Sequence, residues 1–281
     1  MASLFPRHIV RGIYDSMAIG VLVGMTSGTH TAIWGMYKDS KHEGFYYARF
    51  VRSMIIGGLC AIPIQMLLRL DLRSAGGVLL MYGLATAAER GVTEVWKNFV
   101  RNEDQSKYFI PMQFTIYGRP VPSARLRLLL GVAYVAAVTL ALLAIAALDV
   151  GQPLRMTTVA LTGLATGVIV AISGGWKDAP KEGFSAVKFM RSPVTTVAYS
   201  LLLAQLTDSY VVAAAAAIGY ERSTVEAYKT FCFPSRPPGK FADKPITYPR
   251  MMQFRRRFVP LYIAIWFAIV GFSYLAVGQT I

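Results

Sequence analysis

The chain predicts an all-α integral membrane protein of about eight helical membrane segments, arranged as two tandem parallel repeats of four, with short amphipathic helices at the membrane interface. Three observations carry this expectation. First, the 281 residues are 54% hydrophobic and only 16% charged, with a mean hydropathy of +0.45, which is outside the range of soluble domains. Second, the apolar residues gather into eight blocks: 17–35, 54–70, 75–88, 126–148, 157–175, 193–206, 210–220 and 258–277. Four blocks reach or approach the roughly 20 residues that a spanning helix needs, and the shorter four form two pairs.

Third, the chain repeats itself. A shift of 139 residues pairs Gly24, Gly28, Ala32, Ile33, Gly35, Lys38, Asp39, Glu43, Gly44, Phe45, Phe50, Arg52 and Ser53 with identical residues between Gly163 and Ser192, 13 identities in 30 positions. Chance does not supply that many, so each half reads as one structural unit. The implied layout is an N-terminal interfacial segment 1–16, a first repeat 17–150, a linker 151–156 and a second repeat 157–281.

Within each half the order is a long span, a polar station, an apolar hairpin, a second station and a closing span. The stations are 38–53 and 89–127, then 177–192 and 221–257. A hairpin returns the chain to the side it left, so all four stations share one face and the halves are related by an axis along the membrane normal. Pro63 and the Arg69, Asp71, Arg73 cluster interrupt the first hairpin, and length alone leaves open whether 54–88 and 193–220 cross fully or re-enter. The stations hold 24 of the 29 Lys and Arg and 11 of the 15 acids, a net +13. By the positive-inside rule their face is cytoplasmic, or matrix in an organelle; plasma membrane and organelle inner membrane are not distinguished. The basic N-terminus has neither an apolar core before residue 17 nor a small-residue cleavage site, so 17–35 reads as a retained first span.

Gly20, Gly24 and Gly28 repeat every four residues on one face of the first span, and Gly163 and Gly167 mark the matching face of its copy. Small residues at this spacing let helix backbones approach closely. Packing within the chain is expected, most simply of the first span against its copy at the centre of the molecule. His30 sits among threonines; its counterpart is Ile169 and no second ligand is in register, so it reads as a hydrogen-bonded packing residue rather than a metal ligand.

In the first station Phe45, Ala48 and Val51 form an apolar stripe beside Lys41, Arg49 and Arg52. Phe184, Val187 and Met190 with Lys181, Lys188 and Arg191 reproduce it. Each pattern reads as a short amphipathic helix in the headgroup layer, its cationic stems reaching lipid phosphate. Lys38, Lys177, Arg52 and Arg191 are the expected headgroup contacts. Asp39, Glu43, Asp178 and Glu182 are expected to cap a first helical turn and orient those cations.

The second stations open on a charge ladder, Arg90, Glu94 and Lys97, matched by Arg222, Glu226 and Lys229, at spacings that pair on a helix. Beyond it both stations turn Pro-rich and aperiodic, with Met112-Gln113-Phe114 matching Met252-Gln253-Phe254; such stretches need something else to hold them. Arg125, Arg127 and Arg255-Arg256-Arg257 read as the basic cuffs of entering helices.

Cys60 and Cys232 form no metal or disulfide pattern. The sequence carries no Walker loop, GxGxxG, HExxH, metal cluster or nucleophile elbow, so neither a cofactor nor a metal is expected. Its cations are spread along a membrane face and mixed with acids, which weighs against nucleic acid. The expected function is a non-catalytic membrane scaffold or complex subunit binding anionic lipids and partner subunits, or a homo-oligomer. The alternative is a channel or facilitator for an anionic solute, and third comes a lipid-processing enzyme.

Overall fold

A computed structural model describes residues 7–147, 155–232 and 239–280. The first six residues of the expected N-terminal segment, most of the linker and the Pro-rich run 233–238 lie outside them. The long elements are α1 (Arg7–Glu43), α2 (Tyr47–Leu68), α3 (Ala75–Val95), α4 (Ala124–Ala146), α5 (Arg155–Glu182), α6 (Ala186–Leu203) and α7 (Tyr210–Ala227). A single turn α8 (Met251–Phe254) leads through a 3₁₀ turn into α9 (Val259–Thr280), and β1 (Thr115–Ile116) pairs antiparallel with β2 (Arg119–Pro120). Residues 7–16 belong to α1, so that part of the expected interfacial segment is not separate.

Among the described residues four helices are long and apolar enough to cross a membrane: α2, α4, α5 and the α8–α9 unit. The first apolar block, 17–35, was expected among them, but glycines, Thr26, Thr29, Thr31, Ser27 and His30 lower the hydropathy of α1. Of these groups Gly24, Ser27, Gly28, His30 and Thr31 are buried and serve packing instead. α2, which takes its place in that set, is one arm of the first hairpin.

Helix starts follow local chemistry. Ser74, Ser123, Ser185 and Ser209 each accept a hydrogen bond from a backbone N–H in the first turn of α3, α4, α6 and α7, satisfying one orphan donor apiece. Gly44 (φ +80°) and Gly183 (φ +79°) end α1 and α5 in the left-handed region, where a side chain would be strained. Lys38-Asp39 through Glu43 therefore form the last turns of α1, and their counterparts the last turns of α5. The expected first-turn caps are corrected: this is a helix exit. The expected interfacial helices are corrected too, because the stripes at Ala48 and Val187 open α2 and α6, which run on as hairpin arms.

α1 packs along α2, α5 along α6, and α3 against α7. A Cβ on Gly24 would lie 2.3 Å from the Gly57 carbonyl oxygen, and one on Gly28 would lie 2.1 Å from that of Ser53. Gly163 and Gly167 meet Ser200 and Pro193 in the same manner, while Gly20 faces Leu72 and Met81. The glycine faces thus serve packing inside each half, and the expected pairing of the first span with its copy is corrected. At the centre α3 and α7 meet instead, because they carry the smallest facing residues. A Cβ on Gly219 would fall 2.0 Å from the Gly83 oxygen, and Tyr220 donates to the Leu79 carbonyl at 2.9 Å.

The ends sort into two sets. Away from the stations Gln65 donates to Ser16 at 2.8 Å, Arg155 to the Ala204 and Thr207 carbonyls at 2.8 and 2.7 Å, and Tyr210 to the Ile145 carbonyl at 3.0 Å. Both arms of each hairpin join this set to the stations.

Gly219→Ala is expected to force the α3–α7 backbones apart and cost about 1–3 kcal/mol in unfolding measured in detergent. Gly91→Ala, where nothing lies within 4 Å of the added carbon, should be neutral or stabilising by up to about 1 kcal/mol.

Candidate anion-binding face

The four stations meet, and each Pro-rich loop is seated on the other half of the chain. In loop 101–123 the Thr115 carbonyl accepts from the Trp176 indole at 2.7 Å, Phe114 stacks on Trp176 and Gly118 abuts Pro180. In the loop from 239 onward the Tyr248 N–H donates to the Lys41 carbonyl at 2.9 Å, and Lys240 lies 2.8 Å from Asp39. Arg255 donates to the Tyr37 carbonyl at 2.7 Å with its guanidinium over the Tyr37 ring. The loops also join each other: Phe109 N–H donates to the Lys240 carbonyl and the Lys244 ammonium to the Ser106 carbonyl, both at 2.9 Å. Arg127 and Arg255, expected in basic cuffs, are buried, and each serves loop carbonyls or ring faces rather than headgroups.

The charge ladders form at the ends of α3 and α7. Each helix closes in one π turn, Trp96–Val100 and Tyr228–Cys232, which leaves Lys97 and Lys229 beside the ladder carboxylates. Arg90 pairs with Glu94, and Lys97 reaches it at 3.3 Å; Lys229 lies 4.0 Å from Glu226. Arg222 sits 3.6 Å from Glu221 rather than on Glu226. Lys38, expected on lipid, instead crosses between the halves to Glu226 at 2.7 Å. Its burial with a carboxylate to hand decides this, since moving an ammonium out of water without a partner is costly. Lys177 faces Glu94 in the corresponding way without pairing to it.

The other expected site residues divide by exposure. Glu43 pairs with Arg49 at 2.9 Å and Glu182 with Lys188 at 2.9 Å, so neither orients Arg52 or Arg191 as expected. Lys41 is buried, whereas Arg49, Arg52, Lys181 and Lys188 are exposed, and Asp178 is half-buried. Arg191 is half-buried with its Nε unpartnered. The two copies of the apolar stripe differ: Phe45 packs on Phe254 and Phe258 at 5.2 and 5.8 Å, whereas Phe184 and Val187 are 70% and 83% exposed. The Phe254 counterpart, Phe114, has turned to Trp176 and leaves the second stripe uncovered.

Two acids escaped the site reading. Glu89 and Glu221 are fully buried; Glu89 accepts from Thr93 at 3.0 Å and Glu221 from Ser192 at 2.6 Å. The available signal was that Glu precedes Arg at the same place in both ladders. His30 is fully buried, hydrogen-bonded through Nδ1 to the Tyr82 hydroxyl and ringed by Trp34, Tyr262 and Trp266, in keeping with its reading as a packing residue. No protein family, curated sequence or solved structure compared with the chain matches it.

Lys38→Met should cost about 1.5–3 kcal/mol of unfolding free energy. In a double-mutant cycle with Glu226→Gln, that loss should shrink to the residue's packing contribution.

A pH test follows from Lys97, whose ammonium burial pushes down to about 8 from an ordinary value of roughly 10.4. Below about 8 both folded and unfolded chains hold this proton, and its burial cost is fully present. Between about 8 and the ordinary value the unfolded chain holds more of it, so stability rises with pH. The melting temperature should therefore contain an upward step between about pH 8 and 10 that Lys97→Met lacks.

Proposed function

We propose that the chain is a non-catalytic, multi-pass membrane scaffold built as two parallel repeats, its eight long helices crossing the bilayer and its station face turned to the cytoplasm or matrix. The strict alternation of helix ends between the stations and the opposite set of contacts supports eight crossings. The close glycine contact between α3 and α7 weighs against a solute path between these two helices, one of the routes the channel reading allows.

One observation carries the proposed role. Phe184, Val187 and Met190 form an exposed apolar strip beside the exposed Lys181 and Lys188, whereas in the first copy the leading aromatic, Phe45, packs on Phe254 and Phe258. An aromatic and aliphatic edge rimmed by ammonium groups suits the acyl and phosphate layers of an anionic leaflet. The same strip offers a partner subunit a seat at headgroup depth.

Purified in mild detergent, the native chain should retain acidic phospholipid countable by native mass spectrometry. Lys181→Gln with Lys188→Gln should lose most of it, and Phe184→Ser with Val187→Ser should lose it together with any co-purifying subunit. Retention equal to the native chain in both double variants would remove this reading.

A further inference from the structure

The β1–β2 hairpin turns through Tyr117 and Gly118, whose φ angles are 48° and 74°, while Ile116 and Arg119 face each other across the strands. Positive φ at both places of a two-residue turn calls for glycine, asparagine or aspartate, because other side chains crowd the following carbonyl there. Gly118 meets this demand, and a Cβ on it would also lie 2.7 Å from the Pro180 side chain. Tyr117 does not meet it. Its side chain is 93% exposed and makes no hydrogen bond, ring contact or ion pair among the described residues, so nothing inside the chain offsets the strain.

The seat of the hairpin fixes its depth. Trp176 donates to the Thr115 carbonyl, and Gly118 lies against Pro180. Both α5 residues continue the face on which Ile169 and Ile172 are exposed, on a helix long and apolar enough to cross a membrane. An exposed indole closing such a stripe belongs at the edge of the hydrocarbon. Pro180 stands four residues further out, about 6 Å along the axis, and headgroups add roughly 5–8 Å to each side of the hydrocarbon. The tip of the turn therefore falls among headgroups, on the reading that the station face borders the bilayer. We propose that Ile116, Tyr117 and Arg119 form an interfacial anchor in the leaflet beside α5, the phenol ring seated between headgroups and the exposed guanidinium on lipid phosphate. Arg119 forms no ion pair among the described residues, which leaves it free for that contact. A protein partner fits less well: a stable interface covers about 800 Å² on each side, and Ile116 and Tyr117 are the only large apolar side chains exposed on this hairpin. The anchor is separate from the Lys181 and Lys188 rim.

The test uses the full-length protein carrying Cys60→Ala and Cys232→Ser, in nanodiscs of mixed phosphatidylcholine and phosphatidylglycerol. A nitroxide is attached through Tyr117→Cys in one chain and through Ser106→Cys, exposed in the same loop, in another. Relaxation by a water-soluble nickel chelate should be largely lost at 117 relative to 106, while relaxation by lipid-soluble oxygen should be higher at 117. If Tyr117→Cys does not fold, Ile116→Cys carries the label with the same expectation. Nickel relaxation equal to that at 106 overturns the proposal, as does exclusion of both reagents, which would assign the tip to a contact with a second copy of the chain. The contrast should persist with Lys181→Gln and Lys188→Gln added, so that it stands even where the rim fails to hold lipid; its disappearance there also overturns the proposal. Tyr117→Asn, which completes an Asn-Gly turn, should raise the melting temperature in detergent by about 2–4 °C. A fall instead would make the ring a support of the fold and sink its assignment to lipid.

Discussion

Where α3 crosses α7, Gly83 and Gly219 bring two peptide backbones together with no side chain between them, and the arrangement of the station face depends on this contact. With glycine on both sides the helices approach to backbone contact, and close van der Waals fit holds them. The two hairpins are joined through this contact, which carries their charged ends to facing positions. Glu94 and Glu226 then stand within reach of lysines from the opposite half. A side chain at the crossing would part the helices at their middle and draw those charges away from one another.

The duplication visible in the sequence has been used asymmetrically. Lys38 is absorbed by Glu226, whereas Lys177 keeps its charge uncommitted beside Glu94. Phe254 packs on Phe45 of the first apolar stripe, whereas its counterpart Phe114 stacks on an indole and Phe184 stays exposed. The first difference lies in the arginines, since Arg90 takes Glu94 while Arg222 turns to Glu221 and leaves Glu226 to Lys38; the second lies in the loops, whose Phe114 and Phe254 meet different partners.

Much of the fold was legible because it rests on periodicity and composition. The apolar blocks located the eight long helices among the described residues, and the ladder spacing placed Arg90, Glu94 and Lys97 together correctly. What the sequence concealed was pairing. Gly24 and Gly28 announce a close neighbour without naming it, and the neighbour proved to be Gly57 and Ser53 on the next helix rather than the copy of the same span. Charge class misled at Lys38, Arg127 and Arg255, because a lysine or arginine in a basic segment looks the same whether it meets water, lipid phosphate or a buried carbonyl. Gly44 and Gly183 could have separated helix exit from helix start, since a glycine after the last polar turn is the commoner stop signal.

The clasping of each loop by the opposite half also imposes an order on synthesis. Trp176, which secures Thr115, follows it by 61 residues, and Glu226 follows Lys38 by 188. At roughly 5–20 residues per second the ribosome needs about 10–40 s to supply that carboxylate. Throughout that interval Lys38 lacks the carboxylate it ends up on, so the contacts between the halves form only after most of the chain has been made.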